Sequence, residues 1–370
     1  MTNGSPTPND QAAALAALRA RIDDIDDALL KLVSERAGIA QQVGRTKNGE
    51  KIYRPEREAQ IVRRLREANL GPLSGDSVER LIREIMSACR ALEQTTRVAY
   101  LGPAGTFSQQ AVHKQFGQEV EALAESDIDA CFEAVETGRA DFAVVPVENS
   151  TEGAVGRTLD LVVSSPLSIC GEVMLPIHQT LMRKTGSPAG DGLVGVARVY
   201  GHAQSLAQCQ SWLSRHLPGA TRVSVVSNSE GARLAAADVA AVALGSEAAA
   251  GLYGLEVIAS RVEDIASNTT RFLVIGVTDA VPSGRDKTSL VMGAKNQPGA
   301  VLKLLQPLAD AGISMSRLES RPSRSGNWEY LFFVVCEGHR QDTQLAAALA
   351  DIEARAAFFK VLGSYPAAAE

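Results

Sequence analysis

Several short segments of this sequence combine residue types that bind anions or handle protons. Arg36 and Lys47 lie 11 residues apart in a stretch without proline. That is about three helical turns, so both project from nearly the same angle with Cα atoms roughly 16 Å apart. Two long cationic side chains can close such a gap around a small dianion, although the spacing alone equally suits a solvated charged face. Gly102-Pro-Ala-Gly-Thr-Phe-Ser108 follows one apolar run and precedes a helical one, a place where backbone N–H groups hold an anion. It has neither the G-K-[ST] nor the G-x-G-x-x-G spacing of nucleotide loops. Pro146-Val-Glu-Asn-Ser-Thr-Glu-Gly153 follows a second apolar run, which puts its polar residues at the carboxyl edge where α/β sheets take ligands. Gly201-His-Ala-Gln-Ser-Leu-Ala-Gln-Cys209 and Ser267-Asn-Thr-Thr-Arg-Phe272 add amides, hydroxyls and a guanidinium. Asn296-Gln-Pro-Gly-Ala300 and Glu319-Ser-Arg-Pro322 each read, alone, as ordinary turns.

Three kinds of segment must position these groups. From Gln11 to about Lys47, Leu15, Leu18, Ile22, Ile25, Leu29, Leu32 and Val33 recur at helical spacing. The spacing predicts a helix of about 50 Å, too long to bury its stripe within one small domain. Further helices are expected from Pro55, a favoured first-turn residue, to Gly71-Pro72, and from Asp76 to Thr95. One long and two shorter helices suggest a bundle completed by a second copy of the chain. The middle of the chain alternates buried-type strands, 97–102 and 142–147, with helical stretches at 108–116, 127–138, 205–216 and 230–251, an α/β pattern. Residues 277–286 are polar and turn-rich, as in a linker. The remainder reads strand, helix, strand, strand, helix, strand, the ferredoxin-like order.

Composition excludes several classes. The 370 residues carry a net charge of −6, unlike the basic surplus of a nucleic-acid binder. No apolar run reaches the length of a membrane span. The first ten residues have neither a basic nor an apolar segment, so they read as a disordered tail and not as a secretory signal. Five scattered cysteines, with no C-x-x-C pair, suit reduced thiols in the cytoplasm and argue against zinc.

Leu18-Arg-Ala-Arg-Ile22, Glu35-Arg36, Val43-Gly-Arg-Thr-Lys47 and Tyr53-Arg-Pro-Glu-Arg-Glu58 together resemble the all-α chorismate mutase domain. The resemblance implies that Arg19, Arg36, Lys47 and Arg57 hold the carboxylates of chorismate, with Arg19 coming from the partner subunit. Lys47 would also reach the ether oxygen, and Glu58 would accept from the ring hydroxyl. Glu93 would sit by the same ether oxygen at the C-terminal helix. Arg54 stands where relatives often carry Asp, and Glu93 where many carry Gln; a Glu must be protonated to donate there. The implied Claisen rearrangement needs a folded substrate and stabilised charge on oxygen, with no cofactor.

The four motifs between 102 and 272 resemble prephenate dehydratase, a two-lobed α/β domain. Thr270 would be the hydroxyl that assists loss of the ring hydroxyl, by relay or hydrogen bond because a threonine is a poor acid. Glu148, Asn149 and Gln208 match positions implicated in substrate binding or catalysis, and Arg271 would hold a carboxylate. His178 and His202 are candidate helpers, and Cys209 reads as packing. Asn296 to Ala300 and Glu319 to Pro322 resemble the amino-acid-binding motifs of an ACT domain. This implies an α+β ferredoxin-like module that binds phenylalanine through Asn296, Gly299, Ala300, Glu319, Ser320 and Arg321.

The resemblance covers residues 11 to 366 and implies a multidomain chain: mutase 11–96, dehydratase 97–276, linker 277–286 and ACT module 287–366. A bifunctional chorismate mutase–prephenate dehydratase follows, without metal, cofactor, nucleic acid or membrane, acting as a homodimer or larger. Two rivals are an arogenate dehydratase and a two-lobed solute-binding protein fused to a regulatory module.

Overall fold

The computed structural model describes residues 8–46, 53–186, 193–294, 297–322 and 330–368. Its first module is three helices: α1 (Pro8–Thr46), α2 (Pro55–Glu67) and α3 (Gly75–Ala91). Pro55 opens α2, with Glu56 and Glu58 in its first turn. The Ser74 hydroxyl caps α3 by accepting from the Ser77 N–H at 3.2 Å. α1 has 39 residues, about 58 Å of helix, and none of its described residues is buried. Leu18, Ile22, Ile25 and Leu29 are each more than half exposed, because two short helices cannot cover so long a stripe. α1 begins three residues before the expected Gln11, so Pro8–Asp10 form its first turn and are not tail. α3 stops short of the expected Thr95, which leaves Glu93 in the turn behind it.

The middle of the chain folds into two lobes. In the first, β1 (Arg97–Leu101), β2 (Glu121–Glu125), β3 (Phe142–Asn149), β5 (Ser168–Pro176) and β11 (Thr269–Gly276) form a sheet ordered β2-β1-β3-β11-β5. The short β4 (Gly153–Ala154) pairs with β3. α4 (Phe107–Phe116), α5 (Ile128–Glu136) and α6 (Gly156–Ser164) pack on this sheet. The second lobe is inserted between β5 and β11. Its sheet runs β10 (Leu255–Ser260), β6 (Thr180–Lys184), β9 (Ala241–Gly245), β7 (Arg198–His202), β8 (Thr221–Val225). Its helices are α7 (Ala203–Gln208), α8 (Gln210–His216), α9 (Asn228–Ala237) and α10 (Glu247–Tyr253).

One helical expectation is interrupted here and another fails in part. The stretch 205–216 is two helices that meet at Cys209. The stretch 230–251 contains a central strand, β9, between α9 and α10. Alanine favours helix intrinsically, but every residue of β9 is buried and the strand is paired on both sides, to β6 and β7. Tertiary pairing outweighs propensity.

The last module is an antiparallel sheet ordered β13 (Met315–Pro322), β14 (Tyr330–Glu337), β12 (Asp286–Ala294), β15 (Phe358–Pro366), with α11 (Ala300–Asp310) and α12 (Thr343–Arg355) on one face. The other face rests on the first lobe: Val291, Phe333, Leu362 and Tyr365 share a core with Ile169, Leu273 and Ile275. At Gly363 a Cβ would meet the Ile169 carbonyl oxygen at 2.1 Å, so only glycine permits this approach of β15 to β5. The expected linker is not a free tether. Ser283 and Ala280 are buried, the Arg63 guanidinium donates to the Ser283 carbonyl at 2.6 Å, and His339 Nε2 lies 3.0 Å from the Ala280 carbonyl. Turn-rich composition shows that a segment lacks a ladder, not that it is unpacked.

Candidate active sites and effector motif

In the helical module a cavity of about 380 Å³ is lined by Arg36, Arg54, Arg57, Glu58, Arg90 and Glu93, among others. α1 supplies Arg36, whose guanidinium donates to Cys89 Sγ at 2.9 Å. Gly44 of α1 faces the Glu93 carboxylate, which fills the space a Cβ there would take. Glu58, in the first turn of α2, is ion-paired with Arg90 of α3. Arg90 also donates to the Phe116 carbonyl at the end of α4 and lies over the Tyr53 ring, 5.1 Å from its centroid. Tyr53 itself belongs to the first-lobe core, 4.6 Å from Phe116 and 5.1 Å from Phe142 between ring centroids. Burial, with the Glu58 charge beside it, pushes its phenol up.

The structure thus brings Arg36, Arg57, Glu58 and Glu93 together. Arg19 is exposed on α1, about 25 Å along the helix from Arg36, and does not reach this cavity within the chain. Lys47 lies outside the described residues. Arg90 was not foreseen. Its signal is a single arginine four residues beyond Met86 on the apolar stripe of α3, a position a helix normally fills with a hydrophobe.

Between the two lobes lies a cleft of about 940 Å³ whose lining includes Asn149, Thr270, Gln179, His202, Ser205 and Gln208. Adjacent strands β3 and β11 place Asn149 opposite Thr270. Asn149 Nδ2 donates to Thr270 Oγ1 at 2.8 Å and to Asn268 Oδ1 at 2.8 Å. Asn149 Oδ1 accepts from the Thr151 N–H at 3.0 Å, the Thr151 hydroxyl at 2.6 Å and the Glu152 N–H at 3.2 Å. With both ends of the amide engaged, its orientation is fixed by the network. The Thr270 oxygen accepts from Asn149, which leaves the Thr270 proton free to point into the cleft.

Gln208 Nε2 reaches Thr151 Oγ1 at 3.4 Å and Gln179 Nε2 reaches Ser205 Oγ at 3.1 Å. The Gly102–Ser108 turn is bound by the second lobe, since Ser246 Oγ donates to the Gly105 carbonyl at 2.7 Å. Among the described lining residues there is no lysine or arginine. Instead the N-termini of α4 and α9, capped by Thr106 and Ser227, open on the cleft, and their N–H groups favour an anion.

Two expected cleft residues face the other way. Side chains alternate along a strand, so the neighbours of Asn149 and Thr270, namely Glu148 and Arg271, project to the opposite side of the sheet. Arg271 is buried, bonded to Glu172 at 2.8 Å and to the Tyr365 hydroxyl at 2.9 Å. It is therefore not positioned to hold a carboxylate in the cleft. Glu148 is ion-paired with Arg317 of β13. His178 is bound to Glu263 at 2.8 Å and does not line the cleft, whereas His202 does. Cys209 is buried in the second-lobe core, where desolvation pushes its thiol up, in keeping with packing.

In the last module Gly299 caps α11 with φ +74°, a left-handed geometry suited to glycine, and Ala300 N–H donates to the Gln297 carbonyl at 3.1 Å. Asn296 lies outside the described residues. On β13, Arg317, Glu319 and Arg321 are half-buried while Leu318 and Ser320 are exposed. Arg317 pairs with both Glu148 and Glu319. Arg321 donates to the Gly156 carbonyl and lies 3.4 Å from Asp160. Glu319 of the expected effector motif therefore reaches, through Arg317, Glu148 on the back of the dehydratase sheet, while Arg321 touches helix α6.

Family models match segments in each of the three modules, and the dehydratase match extends into the expected linker. Residues 18–94 match the model of chorismate mutase type II, 98–280 that of prephenate dehydratase and 288–354 that of the ACT domain. A bifunctional chorismate mutase/prephenate dehydratase of Neisseria gonorrhoeae is 51% identical over 352 residues, 95% of this chain and 96% of the relative. One of Stutzerimonas stutzeri is 47% identical over 365 residues, covering 97% and 99%. The crystal structure of prephenate dehydratase in complex with L-Phe from Arthrobacter aurescens superposes with a TM-score of 0.67 at 31% identity, covering 74% of this chain and 90% of that one. With relatives this similar matching over nearly the whole of both chains, the chain belongs to the bifunctional chorismate mutase/prephenate dehydratase family.

Proposed function

We propose that the helical cavity is the mutase site, that the inter-lobe cleft is the dehydratase site, and that phenylalanine bound to the ACT module inhibits the enzyme. The observation that carries the dehydratase assignment is the Asn149–Thr270 hydrogen bond on the cleft wall at 2.8 Å. Prephenate loses carbon dioxide and its ring hydroxyl together: the C–C bond to the carboxylate breaks, its electron pair enters the ring, and the C–O bond breaks to give an aromatic product. The Thr270 hydroxyl, its lone pair occupied by Asn149, donates to the departing oxygen. The substrate carboxylates are held by N–H groups at the α4 and α9 ends and by cleft hydroxyls, not by Arg271.

In the mutase site, Arg36 and Arg57 hold the carboxylates of chorismate together with Lys47 and with Arg19 of the partner subunit, and Glu58 accepts from the ring hydroxyl. The exposed apolar stripe of α1 and the distance of Arg19 from the cavity support a homodimer that shares these helices. Phenylalanine as effector is supported by the Arthrobacter relative and by the contact of Glu319, through Arg317, with Glu148, next to Asn149. No described helix is long and apolar enough to cross a membrane, and five free, buried cysteines suit a cytoplasmic protein. Incubating the purified chain with chorismate tests the whole reading. Prephenate, then phenylpyruvate, should form without added cofactor, and added phenylalanine should slow the second step. Failure to form prephenate overturns the mutase assignment, and failure to consume it overturns the dehydratase assignment.

A further inference from the structure

Glu58 and Arg90 form a charge pair that is almost entirely removed from water, with 10% and 8% of their side chains exposed. Arg90 engages only Oε1 of the carboxylate. Oε2 is buried and has no hydrogen-bond partner among the described residues, and Glu58 lines the mutase cavity. A buried carboxylate oxygen without a donor is costly, and the donor it lacks is one that a bound ligand brings. The second Arg90 amine is held by the Phe116 carbonyl and its face by the Tyr53 ring, so the guanidinium cannot swing away from Glu58. Arg36, Arg54, Arg57 and Glu93 also line the cavity, and Arg90 bonds Glu58 directly.

We infer that Arg90 is a positioning residue of the mutase reaction: it clamps Oε1 of Glu58 so that Oε2 stays free to accept the ring hydroxyl of chorismate. The inference rests on the reading of this cavity as the mutase site. Arg90 does the clamping partly from a base outside the helical module, because Phe116 belongs to the first lobe and Tyr53, from the segment leading into α2, packs into that lobe's core. The mutase carboxylate is thereby set by the dehydratase fold, which gives the fused chain a role in mutase catalysis that the three helices alone would not supply.

The test is a double-mutant cycle on the full-length chain, following chorismate consumption and, separately, dehydration of added prephenate. Arg90→Met should lower mutase kcat about thirtyfold with KM changed less than about threefold, a loss on the scale of one charged hydrogen bond. In a Glu58→Gln background the same substitution should cost less than about twofold, because Arg90 acts through Glu58. Arg90→Lys should recover most of the loss, and dehydratase kcat/KM should stay within about twofold throughout. Additive losses in the double variant, or unchanged mutase turnover in Arg90→Met, overturn the inference. Should Arg90→Met lose both activities through misfolding, Arg90→Lys decides: a fewfold fall in mutase kcat alone supports the clamp, and an equal change in both activities overturns it. Arg36→Ala separates the underlying reading, since undiminished mutase activity there would mean that the cavity is not the mutase site.

Discussion

At the scale of single residues, the dehydratase assignment comes down to one hydroxyl proton. Thr270→Ala should lower dehydratase kcat at least about tenfold with KM little changed, the mark of a contact made in the transition state. Thr270→Ser should retain more activity because the hydroxyl survives. Steady-state kinetics with added prephenate measure both, and alanine and serine variants of equal activity would remove the hydroxyl from the reaction. The mutase site should respond independently. Arg36→Ala should reduce chorismate turnover by about a hundredfold or more, through loss of a charge-assisted contact to a carboxylate, while dehydration of prephenate stays near normal. A folded variant that loses both activities equally would contradict two separate sites.

At the scale of elements, the informative feature is the pair β3 and β11, which has functional groups on both faces. Toward the cleft it carries Asn149 and Thr270. Toward the last module it carries Glu148 and Arg271, with Glu172 of β5 buried between Arg271 and Lys287 at 2.8 and 2.7 Å. Burial alone would raise the Glu172 carboxyl, but the Arg271 and Lys287 charges overcome it and hold the group below its ordinary value. A carboxylate depressed in the folded state contributes stability that is present above its unfolded value, about pH 4.3, and is lost as pH falls through its lower folded value. Glu172→Gln should therefore cost about 3 kcal/mol at neutral pH by leaving two cations without their partner. The deficit should shrink in acid, where the native carboxylate is itself protonated. Thermal unfolding of both proteins across the pH range checks this, and a deficit that grows on acidification would contradict the depressed carboxyl.

At the scale of the whole molecule, no module stands free. The first-lobe core contains Tyr53 from the segment leading into α2 and, on its other side, Tyr365 and Leu362 from the last strand. Cutting the chain near residue 286 would strip Lys287 and Tyr365 from the Glu172–Arg271 cluster, so truncation is a poor test of regulation. A point substitution is cleaner. Arg317→Met removes the bridge between Glu319 and Glu148 without touching the cleft. The half-inhibitory phenylalanine concentration should rise at least about tenfold, with basal dehydratase kcat within about twofold. Unaltered inhibition would show that coupling does not pass through this contact. Ile25→Asp with Leu29→Asp, on the bare stripe of α1, should give a monomer by sedimentation and remove mutase activity. A dimer of full mutase activity would leave that stripe without its proposed partner.

Much of this was legible in the residues because it depends on short-range rules. Helical spacing predicted the overlong α1, Pro55 marked the start of α2, Gly299 marked the start of α11, and the last eighty residues showed the ferredoxin-like order. The motifs that carry the family resemblance are likewise local, and they led to Thr270 and Asn149 on the cleft wall. Other features needed the tertiary structure. β9 is a strand because two neighbours pair with it, although its alanines favour helix. Arg90 is a clamp because Phe116 and Tyr53, distant in sequence or across a module boundary, surround it. Period two along β3 and β11 requires Glu148 and Arg271 to face away from Asn149 and Thr270. It does not say which face is the cleft, since the other face is covered as well, by the ACT sheet. A periodicity reports that two sides differ, and only the packing of distant segments decides what each side meets.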